Sequence, residues 1–451
     1  MKKIILLLLL CIPGVLSAQV KQEYTLEDAW RDANVAPLAE KSETARQRSE
    51  WFREARLGMF LHWNPSSVCA TEISWSKQFY EDDGEHLETN PRPTIENYRK
   101  ELDVWYSWFK PQIPGKIYDN LYKSFYPGMF DADSVVMKAK AAGMKYLVMI
   151  AKHHDGFCMW DTQYSDFNVM NTPFHRDVLG EIAAACHRHG LRFGVYYSQR
   201  DWHHPAYSQE RIKEYNEFMR NQLRELLTKY APVDLIFFDA EKPEENVPNI
   251  WETEKMFKEI YSLCPDIIIN DRCGIPGDYD TPEQEVGAFQ TERAWESCMT
   301  FTGCWSWRGF TYPVIPLEKC LENLTGCAGG GGNLLMNVDM MPTGQIDPRE
   351  ETRLEGIGKW LEINGEAIFG TQAGPLRPQE WGVATSKDDA VYLIIQDCSK
   401  FDGVVEIPGK KFRTAEILGG GEVSFESRRG KTTILVESLN ITPFTVIKLQ
   451  R

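Results

Sequence analysis

From about residue 50 to residue 340, short and almost wholly apolar runs alternate with stretches whose apolar residues recur every three or four positions. A short apolar run reads as a strand buried on both faces, and three-and-four spacing reads as a helix packing one face on a sheet. The runs are Gly58–Trp63 (GMFLHW), Tyr146–Ala151 (YLVMIA), Arg192–Ser198 (RFGVYYS), Asp234–Ala240 (DLIFFDA), Asp266–Arg272 (DIIINDR) and Asn333–Val338 (NLLMNV). Polar, Pro-containing loops follow the first of them to about residue 115. Helices are predicted over Ala132–Ala142, with Asp133 near the start and Gly143 beyond the end, and over Val178–Arg188, closed by Gly190. Two more are predicted from about Glu210 to Tyr230, where Ile212, Tyr215, Phe218, Met219, Leu223, Leu226 and Leu227 form one stripe, and around residues 251–263. Repeated strand–helix units predict an α/β fold with a (β/α)8-type, TIM-like barrel, an open doubly wound sheet being the alternative.

After about residue 370 the periodicity changes. Short runs at Val391–Gln396, Val404–Ile407, Thr433–Val436 and Phe444–Leu449 are separated by Gly, Pro, Asn and Asp turns. That spacing predicts a C-terminal antiparallel β-sandwich over residues 371–451, with the boundary between Gly365 and Pro375 and the barrel domain over 19–370. The first 18 residues contain Lys2, Lys3, an apolar stretch Ile4–Ile12, then Pro13, Gly14 and Ser17-Ala18. This is the pattern of a cleaved export signal, too short for a permanent membrane anchor, and it predicts a periplasmic, extracellular or surface-associated location.

Composition narrows the partners. A net charge of −15 from 50 Lys+Arg and 65 Asp+Glu opposes a phosphate-rich ligand, so no nucleic-acid partner is expected. Ten cysteines remain after the signal, from Cys69 to Cys398, without paired C-x-x-C spacing, and mostly buried free thiols are predicted. The glycine run Gly329–Gly332 lacks the Lys-Ser/Thr of a phosphate loop and reads as unusual backbone angles or close packing.

In a barrel the loops after the strands build the active site, so polar residues that close apolar strands are the candidates. These are His62, His153, His154, Tyr196 and Tyr197, Asp239, and the Asn270-Asp271-Arg272 trio. An acid, imidazoles and a guanidinium converge. Hydrolysis of a glycosidic bond needs a second carboxylate beside Asp239, and Asp278, Asp280, Glu283 and Glu285 are available. His204 completes the histidines of interest. Adjacent strand positions send side chains to opposite faces unless a bulge intervenes, so His153 and His154 read as donors to sugar hydroxyls, with no metal and no cofactor.

Taken together, the segments WFREARLGMFLHW (51–63), KYLVMIAKHHDGFCMWD with YSDFNVMNTPFHRDVLGEI (145–182), RFGVYYSQRDWHHP (192–205), DLIFFDA (234–240), INDRCGIPGDYDTPEQ (269–284), WESCMT (295–300) and GGNLLMNVDMMPTGQIDP (331–348) resemble the α-L-fucosidases of glycoside hydrolase family 29. The resemblance implies a retaining exo-glycosidase acting on fucosylated oligosaccharides or glycoconjugates. It implies Asp239 as nucleophile and Glu283 as acid/base, with Glu285, Glu292 and Glu296 as alternatives. His62, His153, His154, Tyr196, Arg272 and Trp305 match sugar-binding positions. Phe237 stands where the family often has Trp, FFDA replaces the more usual FDG ending, and Ser74-Trp75-Ser76 replaces a Glu-Trp-Tyr-like contact. Trp75 and, in place of the missing acid, Glu72 are therefore sugar-contact candidates. Competing readings are an α-L-galactosidase of the same family and a carbohydrate-binding protein without catalysis.

Overall fold

The computed structural model describes residues 46–78, 113–208, 210–240, 249–407, 411–421, 423–428, 431–434 and 441–451. The predicted export signal and most of the loop region before residue 115 lie outside the described residues. Eight parallel strands form one sheet: β1 Leu57–His62, β2 Tyr146–Lys152, β3 Arg192–Tyr197, β4 Leu235–Phe238, β5 Ile268–Ile269, β6 Tyr279–Asp280, β7 Ala294–Thr300 and β8 Asn333–Asp339. Their order is β5-β4-β3-β2-β1-β8-β7-β6. A parallel bridge between Asn270 and Tyr279 joins the two outer strands, so the sheet curls into a barrel.

Six of the eight strands coincide with apolar runs, and the exceptions have physical reasons. The expected strand over Asp266–Arg272 keeps only two residues in the ladder, because Asn270, Asp271 and Arg272 turn into side-chain contacts described below. β6 lies in an acidic, Pro-containing stretch, and β7 carries Glu296 and Ser297 inside a fully buried segment, so neither announces itself as an apolar run. Burial on both faces is paid for here by hydrogen bonds rather than by apolar composition.

Helices α1 Glu50–Ala55, α2 Ala132–Ala141, α3 Val178–His189, α4 Ile212–Lys229, α5 Thr253–Leu263, α6 Leu317–Gly330 and α7 Pro348–Asn364 alternate with the strands. Asp131, not Asp133, caps α2 by accepting the Ser134 N–H. Asp177 does the same for α3, which ends on Gly190 at φ 71°. The glycine run ends α6 and starts β8. Gly331 takes φ 96° as the C-cap, and a Cβ on Gly332 would lie 2.2 Å from the Trp295 ring, so the close-packing reading holds.

Beyond a short 3-10 turn at Gly365–Ala367, two antiparallel sheets follow. The first contains β9 Gln372–Ala373, β10 Gly382–Lys387, β11 Ala390–Ile395, β13 Thr414–Ile417 and β16 Thr445–Gln450. The second contains β12 Val404–Glu406, β14 Phe425–Arg428 and β15 Lys431–Ile434. β11 explains why VYLII is apolar throughout. Val391, Leu393 and Ile395 face the core between the sheets, while Tyr392 and Ile394 join the barrel core. The sandwich thus sits on α6, where Val383 of β10 occupies the space a Gly329 side chain would need. All ten cysteines among the described residues are free thiols, seven of them buried. Among the described residues no helix is long and apolar enough to cross a membrane.

Gly332→Ala tests the tight approach of β8 to Trp295. It is expected to destabilise the fold by about 1–3 kcal/mol, read as a lower urea midpoint at unchanged m-value.

Candidate active site

The carboxyl ends of the strands gather the polar residues. His62 ends β1 and pairs in register with Asp339 at the end of β8. The register of β2 shifts between Ile150 and Lys152, and the chain turns at once after Lys152. As a result His153 and His154 do not diverge: their ring centroids are 4.1 Å apart. This corrects the expectation from simple strand alternation. Asp155 fixes the turn from within the protein. It accepts hydrogen bonds from Asn64 Nδ2 (2.7 Å), Tyr118 Oη (2.8 Å) and the Phe157 N–H (3.0 Å). Burial raises its pKa despite these donors.

Asp239 follows β4 and is positioned by its neighbours' amides. Asn270 binds the Phe238 backbone twice, accepting its N–H at 2.8 Å and donating to its C=O at 2.9 Å. Gln199 accepts the Asp239 N–H (3.0 Å) and donates to the Arg272 C=O (2.9 Å), tying the ends of β3, β4 and β5 together. The Asp239 carboxylate receives Arg272 Nη1 at 2.9 Å and Tyr196 Oη at 2.7 Å, with His154 Nε2 at 3.5 Å. Burial pushes its pKa upward, but the Arg272 charge, His154 and the Tyr196 hydrogen bond outweigh it and hold the group below the usual carboxylate range.

Arg272 also reaches Glu283. Its Nη2 lies 2.8 Å from Glu283 Oε2, and its Nε donates to Thr281 Oγ1 at 2.9 Å. One buried guanidinium therefore holds Asp239 and Glu283 on neighbouring nitrogens, while about a fifth of the Asp239 side chain and a third of Glu283 stay exposed. Asp278, Asp280 and Glu296 are occupied elsewhere. Asp278 pairs with Arg48 at 2.6 Å, and Asp280 with Arg293. Glu296 lies at the amino-terminal half of β7, opposite Asn333, and accepts the Tyr146 hydroxyl. The Glu292 C=O binds Arg53 of α1, and Glu285 is exposed two residues beyond Glu283.

Of the remaining predicted residues, Trp305 and Trp75 pack against these imidazoles. Trp305 packs against His62 at 4.9 Å, and His153 stacks on Tyr196 at 5.3 Å. Trp75 sets its edge on His154 at 5.2 Å. Glu72 is fully buried and accepts the Trp305 N–H at 2.8 Å, so it supports Trp305 from behind; burial pushes its pKa up to about 8. Ser74 bonds His153 Nδ1 at 2.6 Å. His204 stands apart, stacked on Phe218 of α4. Burial lowers the pKa of His62 and of His154 to about 3 and that of His153 well below its ordinary value, so the three rings are neutral.

Three ligand atoms of His153, His154 and Asp239 lie within 4.8 Å of one another, close enough to consider a cation. The Asp239 carboxylate is already met by the Arg272 guanidinium and the Tyr196 hydroxyl, which makes the site a poor one for a second positive charge. Gln199, Ser198, Ser74, Asn337, Thr281 and Tyr118 escaped the sequence reading. The signal available was a polar residue beside or within a strand run, as with Asn337 inside NLLMNV.

Comparison with known proteins places this geometry in context. A family model described as alpha-L-fucosidase matches residues 26–366. Tissue alpha-L-fucosidase of Mus musculus is 30% identical over 366 residues, covering 77% of this chain and 75% of that protein. The rat tissue alpha-L-fucosidase is 29% identical over 393 residues, 82% and 81% of the two chains. Among solved structures, alpha-L-fucosidase isoenzyme 1 from Paenibacillus thiaminolyticus superposes with a TM-score of 0.75 at 29% identity, covering 90% of this chain and 99% of that one. A GH29 alpha-L-fucosidase from Bacteroides thetaiotaomicron, trapped as a covalent intermediate with 2-fluoro-fucosyl fluoride, superposes with a TM-score of 0.74 at 26% identity over 90% and 96%.

The position of Glu296 yields a test that separates it from the two carboxylates on Arg272. Burial raises its pKa from 4.5 to about 8, so the folded chain keeps a proton that the unfolded chain releases. Its contribution to stability is complete below pH 4.5 and is lost as the pH rises to about 8. Glu296→Gln, neutral throughout, should gain stability relative to the parent across that interval in urea denaturation, while kcat/KM stays of the parent's order. A collapse of activity would return Glu296 to the list of acid/base candidates.

Proposed function

The chain belongs to the α-L-fucosidase family, and from that premise we propose which side chains carry its reaction. The enzyme is a retaining exo-glycosidase that hydrolyses terminal α-L-fucose from oligosaccharides or glycoconjugates by double displacement. Asp239 is the nucleophile and Glu283 the acid/base. The observation that supports this assignment is the single guanidinium of Arg272 bonded to both carboxylates at 2.9 and 2.8 Å.

Asp239 is held ionised by Arg272, Tyr196 and His154, which suits attack on an anomeric carbon. Glu283, more exposed and on the next loop, is placed to protonate the departing oxygen and then to take a proton from water. As Asp239 becomes esterified, the proton on Glu283 passes to the departing oxygen, so the negative charge facing Arg272 moves from Asp239 to Glu283. Glu283 is then the guanidinium's remaining carboxylate at the stage where a base is needed. His62, His153 and His154 offer neutral nitrogens to the sugar hydroxyls, and Trp305 and Trp75 offer flat apolar faces to the 6-deoxy sugar.

Carboxylate variants test the assignment. Asp239→Ala should lose several orders of magnitude in kcat, with azide restoring turnover as the β-azide. Glu283→Ala should cripple natural oligosaccharides while sparing aryl fucosides with good leaving groups, and azide should then give the α-azide. Near-parent activity in Asp239→Ala, or equal loss on both substrate types in Glu283→Ala, would overturn the respective role.

The export signal over residues 1–18 adds a location to the reading: a periplasmic or extracellular enzyme with its mature start at Gln19. Mass spectrometry of protein from its native host should find that start, and an intact Met1 would contradict export by cleavage.

A further inference from the structure

The amide of Asn337 has only one workable orientation. Its Oδ1 accepts the backbone N–H of His62 at 3.3 Å, and its Nδ2 donates to the Trp305 C=O at 3.0 Å and to Asp339 Oδ1 at 3.1 Å. Exchanging oxygen and nitrogen would set donor against donor and acceptor against acceptor. His62 Nδ1 lies 2.7 Å from that same Oδ1 and therefore carries a hydrogen. Because burial keeps the ring neutral, its Nε2 bears a bare lone pair.

His153 is set the opposite way. Ser74 Oγ accepts the Asp155 N–H at 2.9 Å and lies 2.6 Å from His153 Nδ1; that nitrogen is the one acceptor offered to the hydroxyl's own hydrogen among the described residues, which leaves the ring proton on Nε2. At His154 the Asp239 carboxylate, 3.5 Å from Nε2, draws the proton to that nitrogen, while Ser198 Oγ, 2.6 Å from Nδ1, also lies 3.0 Å from the Arg200 C=O as a donor. His62 thus differs in polarity from its two neighbours, through the Asn337 amide at His62, the Ser74 hydroxyl at His153 and the Asp239 carboxylate at His154.

We propose that Asn337 is a positioning residue that makes His62 the hydrogen-bond acceptor among the three pocket imidazoles, so that one sugar hydroxyl must donate to His62 while those facing His153 and His154 accept. The site then demands a hydroxyl at that position and refuses an acceptor-only substituent. The functional half of this inference rests on the fucose-binding reading; the tautomers do not.

Two measurements test it. In the full chain with 15N-labelled histidine, long-range proton–nitrogen correlation at neutral pH, with His62 assigned through His62→Gln, should show a protonated Nδ1 and a bare Nε2. A protonated Nε2 would overturn the proposal. Competitive inhibition by L-fucose is then compared with its monodeoxy and monodeoxyfluoro analogues at carbons 2, 3 and 4, since fluorine can accept weakly but cannot donate. At one position the fluoro analogue should bind as poorly as the deoxy one, about tenfold or more weaker than fucose, while elsewhere fluorine regains part of the loss. Recovery at every position overturns the proposal. In Asn337→Ser the ring is free to change tautomer, and recovery should appear at the remaining position. Inhibition constants do not depend on the fraction of protein folded, so partial misfolding does not imitate this change; an unchanged pattern would deny Asn337 its role. If no fucose analogue inhibits, the sugar reading fails while the nitrogen spectrum still decides the tautomer.

Discussion

A buried positive charge organises the site. Arg272 is almost wholly withdrawn from water, and a guanidinium in that setting costs several kcal/mol unless its donors are met. The chain meets them with Asp239 and Glu283 on separate nitrogens and with Thr281 on Nε. The same contacts that make Arg272 tolerable fix the two carboxylates with respect to each other. The Asn270 amide grips the Phe238 backbone and Gln199 bridges Asp239 to Arg272, so the strand ends carrying these charges cannot drift apart.

The residues behind the carboxylates and imidazoles of the site are mostly uncharged. Ser74, Ser198 and Asn337 each touch one imidazole, and Gln199 and Asn270 touch backbone. Inside a barrel of low polarity an additional ionised group would shift every neighbouring pKa, whereas an amide or hydroxyl sets orientation without adding charge. Glu72 is the exception in name only. Its pKa of about 8 keeps it protonated at neutral pH, so it too acts on Trp305 as a neutral group. The Ser74-Trp75-Ser76 departure from the family pattern acquires a meaning here, because Ser74 directs the His153 ring and leaves the absent acid without a direct replacement at that position.

The rest of the fold supplies rigidity. Residues 71–73 are joined to the Trp305 loop through Glu72, through Ser306 to the Ile73 N–H and through Ser306 to the Thr71 C=O. β8 delivers Asn337 and Asp339 to the pocket from a strand pressed so closely on Trp295 that only glycine fits at its start. On the outer side the sandwich covers α6 with a strand, β11, that is apolar on both faces. Barrel and sandwich are in this respect one packing problem.

Apolar runs, helix stripes and the change of rhythm near residue 370 were enough for the barrel, six of its strands, four of its helices and the antiparallel C-terminal sheets, because burial imposes periodicities of two and 3.6 on any chain. Asp239, Arg272, His62 and the His153–His154 pair were legible because a polar residue closing an apolar strand is conspicuous, and Glu283 only through resemblance. What the chain order concealed were contacts between residues far apart: β7 with its buried Glu296, the convergence of both imidazoles after the shift in β2, and the placement of Glu283 on Arg272. The contacts of Ser74 and Asn337 with the imidazoles belong to the same class. Hydrogen-bond partners are chosen by proximity in three dimensions and by donor–acceptor polarity, and neither leaves a period in the sequence. Sequence alone determined which residues could be buried and which could react; the tertiary structure decided which of them meet and in which direction each hydrogen bond runs.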